Sequence, residues 1–533
     1  MQQLVLEEVT PEAERAFEEE FAQRFEEDKS GYPQVKRSRY GTAERVFAFI
    51  CFVLGYFLLR TFNGAGLGAT VTTVLLTAVL AVYMNSKGAV QRAPHYIYLA
   101  ATASFSSVFV LSDDGFIKTL AAIFIFFALM FYPYFTHGSG RREFINDMFV
   151  FDMIKSALIM PFSSLASIFP AAFSGKRAKK SGFRAWHIVV GLCIAALPTF
   201  IVAALLCSAD AGFTNLLNKA ADFFSHGIFD EILWFIAGTP VAMYVFGMLY
   251  SNGISKHQSV LTRYQHETFR RAVSVIPQAI AYAAVTPLCV LYIVFLSVQA
   301  NYYFGGFLSN LPDGLTYAEY ARSGFFELCA VAVINMVVII LLAVFTKKKA
   351  DGKATLPLKV YSIVLSCFTL LLIAVAASKM FMYIDAYGLS RLRIFTSWFM
   401  ILLSFAFIFV IVKQIYSKFN YFGALAAVFA VLFGALCFCD IDARIAEYNV
   451  NAYITDSKKT IDMNQLSSLS DSAVPYIVKL TQPVEGRSDE ENEAVTYKAA
   501  EILSKRKREY ANGYDYIHFN YPRYVAEKAA EPF

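Results

Sequence analysis

Ionisable residues that could do chemistry lie mainly at the ends of long apolar segments, and they are densest near the segment TYAEYARSGFFEL (316–328). Two of them precede an apolar run, and Glu327 lies about one turn inside it. On an ideal helix Glu327 shares a face with Asn335, where Arg391 or Arg393 could satisfy its charge. The members of this candidate outer charge cluster are Glu319, Arg322, Glu327, Asn335, Lys379, Asp385, Arg391 and Arg393.

The candidate outer charge cluster allows three kinds of chemistry. The favoured interpretation is that the charges pair with one another in salt bridges that hold the helix ends together. The alternative is an outer binding site for an anionic headgroup or peptide. A membrane-embedded transferase would need a carboxylate base near the interface, and Glu319 or Glu327 could serve. We assign no catalytic residue, metal or cofactor, because the sequence contains neither a P-loop nor a metal-ligand histidine spacing.

Two other segments invite a ligand interpretation. GAGLGA (64–69) lacks a preceding strand, so close approach of small residues in a helix turn explains it better than a phosphate loop does. A basic run beside the inner leaflet could contact anionic lipid headgroups, although the ordinary positive-inside bias explains it equally well. The residues of this run are Lys176, Arg177, Lys179 and Lys180.

Long apolar helices must position these charges. The chain has 533 residues, of which 57% are hydrophobic and 17% charged, and its mean hydropathy is +0.48. The chain contains repeated apolar runs of about 18 or more residues, and runs of this length cross a bilayer as helices. The sequence therefore predicts an all-α polytopic transmembrane bundle. The eleven predicted spans are 44–62, 66–84, 95–111, 116–135, 186–207, 231–250, 275–298, 323–345, 359–383, 392–412 and 421–439.

The loops between the predicted spans alternate in charge. With residue 45 in the cytosol, the inner segments hold 25 basic residues and the outer segments hold seven. The positive-inside rule therefore predicts a cytosolic N-terminus and, with eleven spans, an extracytosolic C-terminus. The net charge of +5 reflects this orientation and does not indicate a nucleic-acid partner.

The sequence predicts three regions. Residues 1–43 form an acidic cytosolic arm, whose helix within 1–34 contacts either the protein's own loops or a protein partner. Residues 44–439 form the transmembrane domain, with an interfacial or re-entrant element at 143–173. Residues 440–533 form an extracytosolic α-helical tail, which is a second candidate surface for a partner.

Two helices are predicted in this tail. One amphipathic helix would bury Leu466, Leu469, Ala473, Ile477 and Leu480 on one face. A capping box of Ser488 and Glu491 would begin a second helix, which ends near Gly513.

Three classes of function remain open at this stage. The soluble extensions favour a non-enzymatic envelope protein that senses or organises. Proline-interrupted spans favour a transporter or permease, although the spans hold almost no ionisable residue near their middles. These interruptions are Pro198 in the fifth span, Gly238-Thr239-Pro240 in the sixth, and Pro277 and Pro287 in the seventh. The transferase acting on lipid or wall precursors is the third class.

Five short blocks resemble a bacterial polytopic membrane family that is classified as a domain of unknown function. They are TYAEYARSGFFEL (316–328), YIDAYGLSRLRI (383–394), IAEYNVNAYI (445–454), LSDSAVPYI (469–477) and IHFNYPRY (517–524). The resemblance implies a bacterial cytoplasmic membrane, many spans and an extracytosolic C-terminal segment. It implies no activity, so it transfers no catalytic role to this chain.

Overall fold

The computed structural model shows an all-α protein. The residues that it describes are 40–88, 92–137, 154–173, 191, 195, 198–199, 202–224, 228–254, 273–306, 325–347, 354–456, 459–511, 513 and 515–533. Across these ranges the β structure is limited to one isolated bridge between Ile276 and Thr346. The predicted fold class is therefore confirmed.

Among the described residues, fourteen α-helices whose bounds are both defined precede the tail. They are α1 Thr42–Phe62, α2 Leu67–Ser86, α3 Ala93–Phe105, α4 Val108–Leu111, α5 Gly115–His137, α6 Met160–Ser163, α7 Ile168–Phe173, α8 Ala211–Phe224, α9 Ile228–Ile254, α10 Gln278–Gly306, α11 Phe325–Phe345, α12 Leu356–Tyr387, α13 Arg391–Ile415 and α14 Tyr421–Phe438. Among the described residues, nine helices are long and apolar enough to cross a membrane: α1, α2, α5 and α9 to α14. They correspond to nine of the eleven predicted spans, and the chain is a multi-pass membrane protein.

The other two predicted spans have different outcomes. The segment 95–111 is not one continuous helix, because two residues separate the end of α3 at Phe105 from the start of α4 at Val108. The carbonyl of Ser106 accepts a 2.6 Å hydrogen bond from Thr70 Oγ1 of α2, and the Ser106 hydroxyl donates back to its own helix. Both hydrogen bonds compete with the backbone bonds that would continue the helix through Ser106. The segment 186–207 lies largely outside the described residues.

The described part of the predicted element 143–173 is a bent pair of short helices. The two arms, Ser156–Ser163 and Leu165–Phe173, meet at an angle of 48°. Ser251 Oγ of α9 donates to the Met160 carbonyl at 2.8 Å and so holds the bend against the bundle. This geometry suits a broken span or a re-entrant loop, so the choice between an interfacial and a re-entrant element stays open.

The membrane helices form two apolar cores. The first lies mainly among α1, α2, α3, α5, α7 and α9, and the second among α10 to α13. In the first core the backbones of α1 and α9 meet, since a Cβ at Gly55 would lie 2.5 Å from the Gly238 carbonyl oxygen. Small residues allow this close approach between membrane helices. The interruption Gly238-Thr239-Pro240 therefore lies at a helix-packing contact.

The tail is folded and compactly built from five helices: α15 Ile441–Thr455, α16 Met463–Ser468, α17 Val474–Ile477, α18 Asp489–Tyr510 and α19 Tyr521–Ala530. The single amphipathic helix predicted over 466–480 is wrong, although all five of its predicted apolar residues are buried. The Ser470 amide donates to Asp442 instead of to a helix carbonyl, and Pro475 has no amide hydrogen. The predicted cap of α18 is confirmed, because Ser488 Oγ accepts from the Glu491 amide.

Candidate functional site

The structure distributes the members of the predicted outer charge cluster over separate contacts. Glu319 and Arg322 lie outside the described residues. Glu327 is exposed in the first turn of α11 and lies within electrostatic reach of Lys379, which is buried in α12. Asn335 is fully buried one core layer deeper, where it accepts a 2.6 Å hydrogen bond from Tyr292 and donates to Thr369. The contacts of Asn335 are therefore neutral.

The two arginines at the start of α13 have different partners. Arg391 Nε donates to Asp442 Oδ1 of the tail at 2.7 Å, and its Nη2 donates to the other carboxylate oxygen. Arg393 lies over the ring of Tyr383, with its guanidinium carbon 4.2 Å from the ring centroid, and donates to the carbonyls that end α12. Arg391 thus joins the membrane helices to the tail, while Arg393 closes a helix end.

The remaining predicted residues give one more tail contact. Lys459 of the tail donates to the Asp385 carboxylate at 3.3 Å and to its carbonyl. The basic residues Lys176, Arg177, Lys179 and Lys180 lie outside the described residues.

A charged layer lies where the tail meets the membrane helices, and we call it the junction layer. Its members are Asp113, Asp114, Lys118, Arg391, Asp442, Asp471 and Arg506. At its centre Arg391 bridges Asp442 and Asp114, and its Nε lies 3.5 Å from the Asp114 carboxylate. A bidentate arginine pair of this kind fixes geometry as well as charge.

Asp442 is the most deeply buried acid of the junction layer. Its side chain has no exposed surface, and it accepts a 2.7 Å hydrogen bond from the Ser470 amide in addition to the Arg391 bonds. Burial opposes ionisation of this carboxyl, but the hydrogen bonds from Arg391 and Ser470 outweigh it and lower the pKa of Asp442. Asp442 is therefore held as a carboxylate.

Asp471 forms the second centre of the junction layer. It accepts a 2.7 Å hydrogen bond from the Tyr510 hydroxyl and lies 3.2 Å from Arg506. Its amide donates to Asp113 at 3.5 Å. Burial, together with the nearby Asp471 charge, raises the pKa of Asp113 to about 6, even though Lys118 lies 3.8 Å away.

Local turns present these acids to the arginines. Asp440 adopts a left-handed conformation with φ 46° and caps α15, which places Asp442 in the first turn of that helix. Arg391 follows the turn that ends α12. This turn contains Gly388 with φ 77°, and a Cβ there would collide with the Asn449 side chain of the tail. Asn449 accepts from the Leu389 amide at 2.8 Å and donates to its carbonyl. The tail therefore clamps the turn that precedes Arg391.

A cleft of about 840 Å³ adjoins the junction layer. It lies between the α1–α2 turn, the α4–α5 region and the last part of the tail, and its polar lining includes Asp113, Lys118, Asp515, His518 and Arg523. We call it the junction cleft.

The glycine-rich turn after α1 is a docking surface for the tail. A Cβ at Gly66 would lie 2.6 Å from the backbone of His518, and the Leu67 amide donates to the Phe519 carbonyl at 3.1 Å. The side-chain amide of Asn520 donates to the Phe109 carbonyl at 3.3 Å beside it. The small residues therefore permit close approach, as expected, but the contact is with the tail 450 residues later in the chain.

Sequence reasoning did not select most of the junction layer. Asp113 and Asp471 are 358 positions apart, so no local spacing relates them. A usable signal was present nonetheless: acidic pairs directly follow α4 and α14, at helix ends that the charge bias places on one side. Acids at such ends can be paired by an arginine from another end on that side.

Residues 99–480 match the family model described as a domain of unknown function, DUF4153. That match covers well over half of the chain. The chain belongs to the DUF4153 family. The DUF4153 match includes Asp113, Asp114, Arg391, Asp442 and Asp471, whereas the tail residues of the junction cleft lie beyond it, as does the block IHFNYPRY. Neither the curated proteins nor the solved structures contain a match to the chain.

Proposed function

We propose that this DUF4153 protein is a non-enzymatic envelope protein of the bacterial cytoplasmic membrane that senses or organises through its tail. In this proposal the N-terminus is cytosolic and the tail is extracytosolic. The observation that carries the proposal is the continuity between the core of the tail and the membrane helices.

The tail shares one apolar core with the ends of several spans. Buried tail residues such as Ile445 and Leu480 belong to the same cluster as Ile117 of α5 and Leu436 of α14. Burial of apolar side chains is the main favourable term in such packing. Arg391 also connects the tail to α13. The tail therefore contacts a helix of each of the two membrane cores, so that binding of a partner to the tail can act on both, as a sensor or organiser requires.

The contact pattern supports the proposed orientation. The tail contacts Leu67 at the start of the second predicted span, Phe109 near the end of the third and Leu389 after the ninth. The first residue of the tail directly follows the eleventh predicted span, so all these positions lie on the side where odd-numbered spans end. Odd-numbered spans that start in the cytosol all end on the outer side. The outer segments together hold seven basic residues against 25 in the inner segments, which is what the positive-inside rule expects.

The competing classes receive less support from the geometry. The interruption at Gly238 accompanies tight packing between α1 and α9, so it does not by itself indicate a transport cavity. Glu327, one of the two carboxylates suggested as a transferase base, lies exposed on α11. Asp442, which is held in a defined geometry by Arg391, instead joins the tail to α13.

The test is photo-crosslinking from the tail in intact cells. Tyr497 and Tyr516 are 71% and 84% exposed, so either can be replaced by benzoylphenylalanine without disturbing the core. We expect adducts of discrete mass with an extracytosolic envelope component. Tyr416 at the other end of the bundle, 58% exposed, is the matched position and should not give these adducts.

The same probes separate the alternatives. The proposal is overturned if Tyr497 and Tyr516 give no adduct in cells, or only adducts with cytosolic proteins. It also requires that the adducts diminish in an Arg391→Met background, in which the tail loses its ion pair with α13.

A further inference from the structure

The junction cleft continues down one face of a membrane helix. Four of its lining residues, Gly115, Lys118, Thr119 and Ala122, are spaced i, i+3, i+4 and i+7 along α5. At about 1.5 Å per residue this stripe runs roughly 10 Å from the start of the helix into its apolar span. The cleft therefore begins at the membrane surface and leads toward the hydrocarbon.

The walls of the junction cleft combine charged and apolar residues. Asp113, Lys118, Asp515 and Arg523 form a charged mouth, whereas Phe62 and Ala122 supply apolar surface. At Gly115 a Cβ would meet no atom within 4 Å, so there is free space beside the first turn of α5. A charged mouth next to apolar surface that continues along a membrane helix matches a molecule with a polar head and an acyl chain.

The charged mouth carries both signs in equal number. Lys118 and Arg523 provide two cations, and Asp113 and Asp515 provide two carboxylates, with the imidazole of His518 among them. Lys118 lies 3.8 Å from Asp113, so opposite charges alternate over a short distance. A purely anionic headgroup would leave the carboxylates facing its charge, whereas a zwitterion satisfies both sets.

We propose that the junction cleft binds a zwitterionic aminophospholipid. Its phosphate contacts the Lys118 and Arg523 side chains, its primary ammonium donates to Asp113 and Asp515, and one acyl chain follows the stripe on α5. A quaternary ammonium cannot donate these hydrogen bonds, so the site favours phosphatidylethanolamine over phosphatidylcholine. This inference goes beyond the proposed function, because lipid binding does not depend on whether the tail has a protein partner.

The test is native mass spectrometry of the purified full chain in detergent. The probes are phosphatidylethanolamine, phosphatidylcholine and phosphatidylglycerol with identical acyl chains, and soluble glycerophosphoethanolamine and inorganic phosphate. We expect one phosphatidylethanolamine to bind about tenfold more tightly than either other lipid. The soluble probes should bind far more weakly than the lipid, because they lack the acyl chain.

Two variants and two matched controls localise the site. Gly115→Phe fills the free space beside α5, and Lys118→Ala removes one phosphate contact, so each should weaken the binding of phosphatidylethanolamine about tenfold. Ile123→Phe adds similar bulk at a 49% exposed position of α5 that does not line the junction cleft. Lys528→Ala removes a tail lysine that also lies outside it. Both controls should retain the affinity for phosphatidylethanolamine.

Several results would overturn the inference. Equal binding of the three lipids indicates ordinary annular lipid, and tighter binding of phosphatidylglycerol indicates an anion site. Equal affinity for glycerophosphoethanolamine indicates a soluble ligand instead of a lipid. If the affinity for phosphatidylethanolamine survives both Gly115→Phe and Lys118→Ala, the lipid binds elsewhere. The melting temperature of each variant is measured in parallel, and an affinity that is lost in both variants only because they unfold counts against the assignment.

Discussion

The bundle of α10 to α13 and the junction layer both bury polar groups, but they satisfy them in different ways. In the bundle the fully buried groups are neutral: Asn335 lies between Tyr292 and Thr369, and the Thr369 hydroxyl donates to the carbonyl four residues earlier. The buried Lys379 lies nearer to the end of α12. In the junction layer the groups are charged, and the partners of Asp113 and Arg391 come from distant parts of the chain.

This difference follows from where each region lies. A charge in the hydrocarbon is costly, so membrane helices bury polar groups that can be satisfied without ionisation. At the ends of the helices the tail supplies the Asp442 carboxylate to Arg391 of α13, and this pair joins two segments that are distant in the sequence. Of the two regions, the junction layer is therefore the one that depends on ion pairs.

The largest expected effect comes from breaking the central pair of the junction layer. Arg391→Met leaves Asp442 buried with only the Ser470 amide as a partner among the contacts described above. Removing one partner of a buried pair costs about 3–5 kcal/mol, so we expect the tail to lose that much stability. Hydrogen exchange of the amides in α15 and α17 measures the loss.

The matched control for this variant is Arg444→Met. Arg444 pairs with Glu447 on the exposed face of α15, with 64% of its side chain accessible. We expect the hydrogen exchange of the α15 and α17 amides to be unchanged in this variant. Equal loss of protection in the two variants would remove the distinction between the junction layer and the tail surface.

A smaller effect is expected from the neutral network of the bundle. Asn335→Leu removes two hydrogen bonds but leaves groups that need no counter-charge, so the loss in free energy of unfolding should be about 1–2 kcal/mol. The midpoint of thermal unfolding in detergent measures it, with Val337→Leu at a lipid-facing position of α11 as the control. A loss larger than that of Arg391→Met would reverse the comparison.

The smallest expected effect is a dependence of tail docking on pH. The pKa of Asp113 is raised from its usual value of 3.8 to about 6, with Asp471, Lys118 and Arg523 around it. A carboxyl with a raised folded pKa contributes most below its unfolded pKa, and its contribution falls as pH rises toward and through 6. Docking should therefore be about 1 kcal/mol stronger at pH 5 than at pH 7.5.

The variant Asp113→Asn isolates this group. It should remove the share of the pH dependence that belongs to Asp113 and leave docking at pH 7.5 at least as strong as in the unsubstituted protein. Exchange rates of the α17 amides at the two pH values provide the measurement. A pH dependence of undiminished size in Asp113→Asn would assign the effect to other groups, such as Asp440, whose pKa burial also raises.

Hydropathy and charge were sufficient to predict the membrane helices, because length and composition alone decide whether a helix can cross a bilayer. They were insufficient at 95–111, where the side chain of Thr70 from another helix takes the Ser106 carbonyl. The same limit applies to the site. The sequence drew attention to Arg391, but its partners Asp442 and Asp114 are set by the docking of the tail.

The central claim is that the Arg391–Asp442 pair joins the tail and the membrane helices into one unit, and a double-mutant cycle tests it most directly. Hydrogen exchange of the α15 and α17 amides is compared for Arg391→Met, Asp442→Leu and the double variant. Replacing both partners by apolar groups of similar size leaves no unpaired buried charge, so the double variant should regain most of the protection that each single variant loses. Additive losses in the double variant would contradict the account.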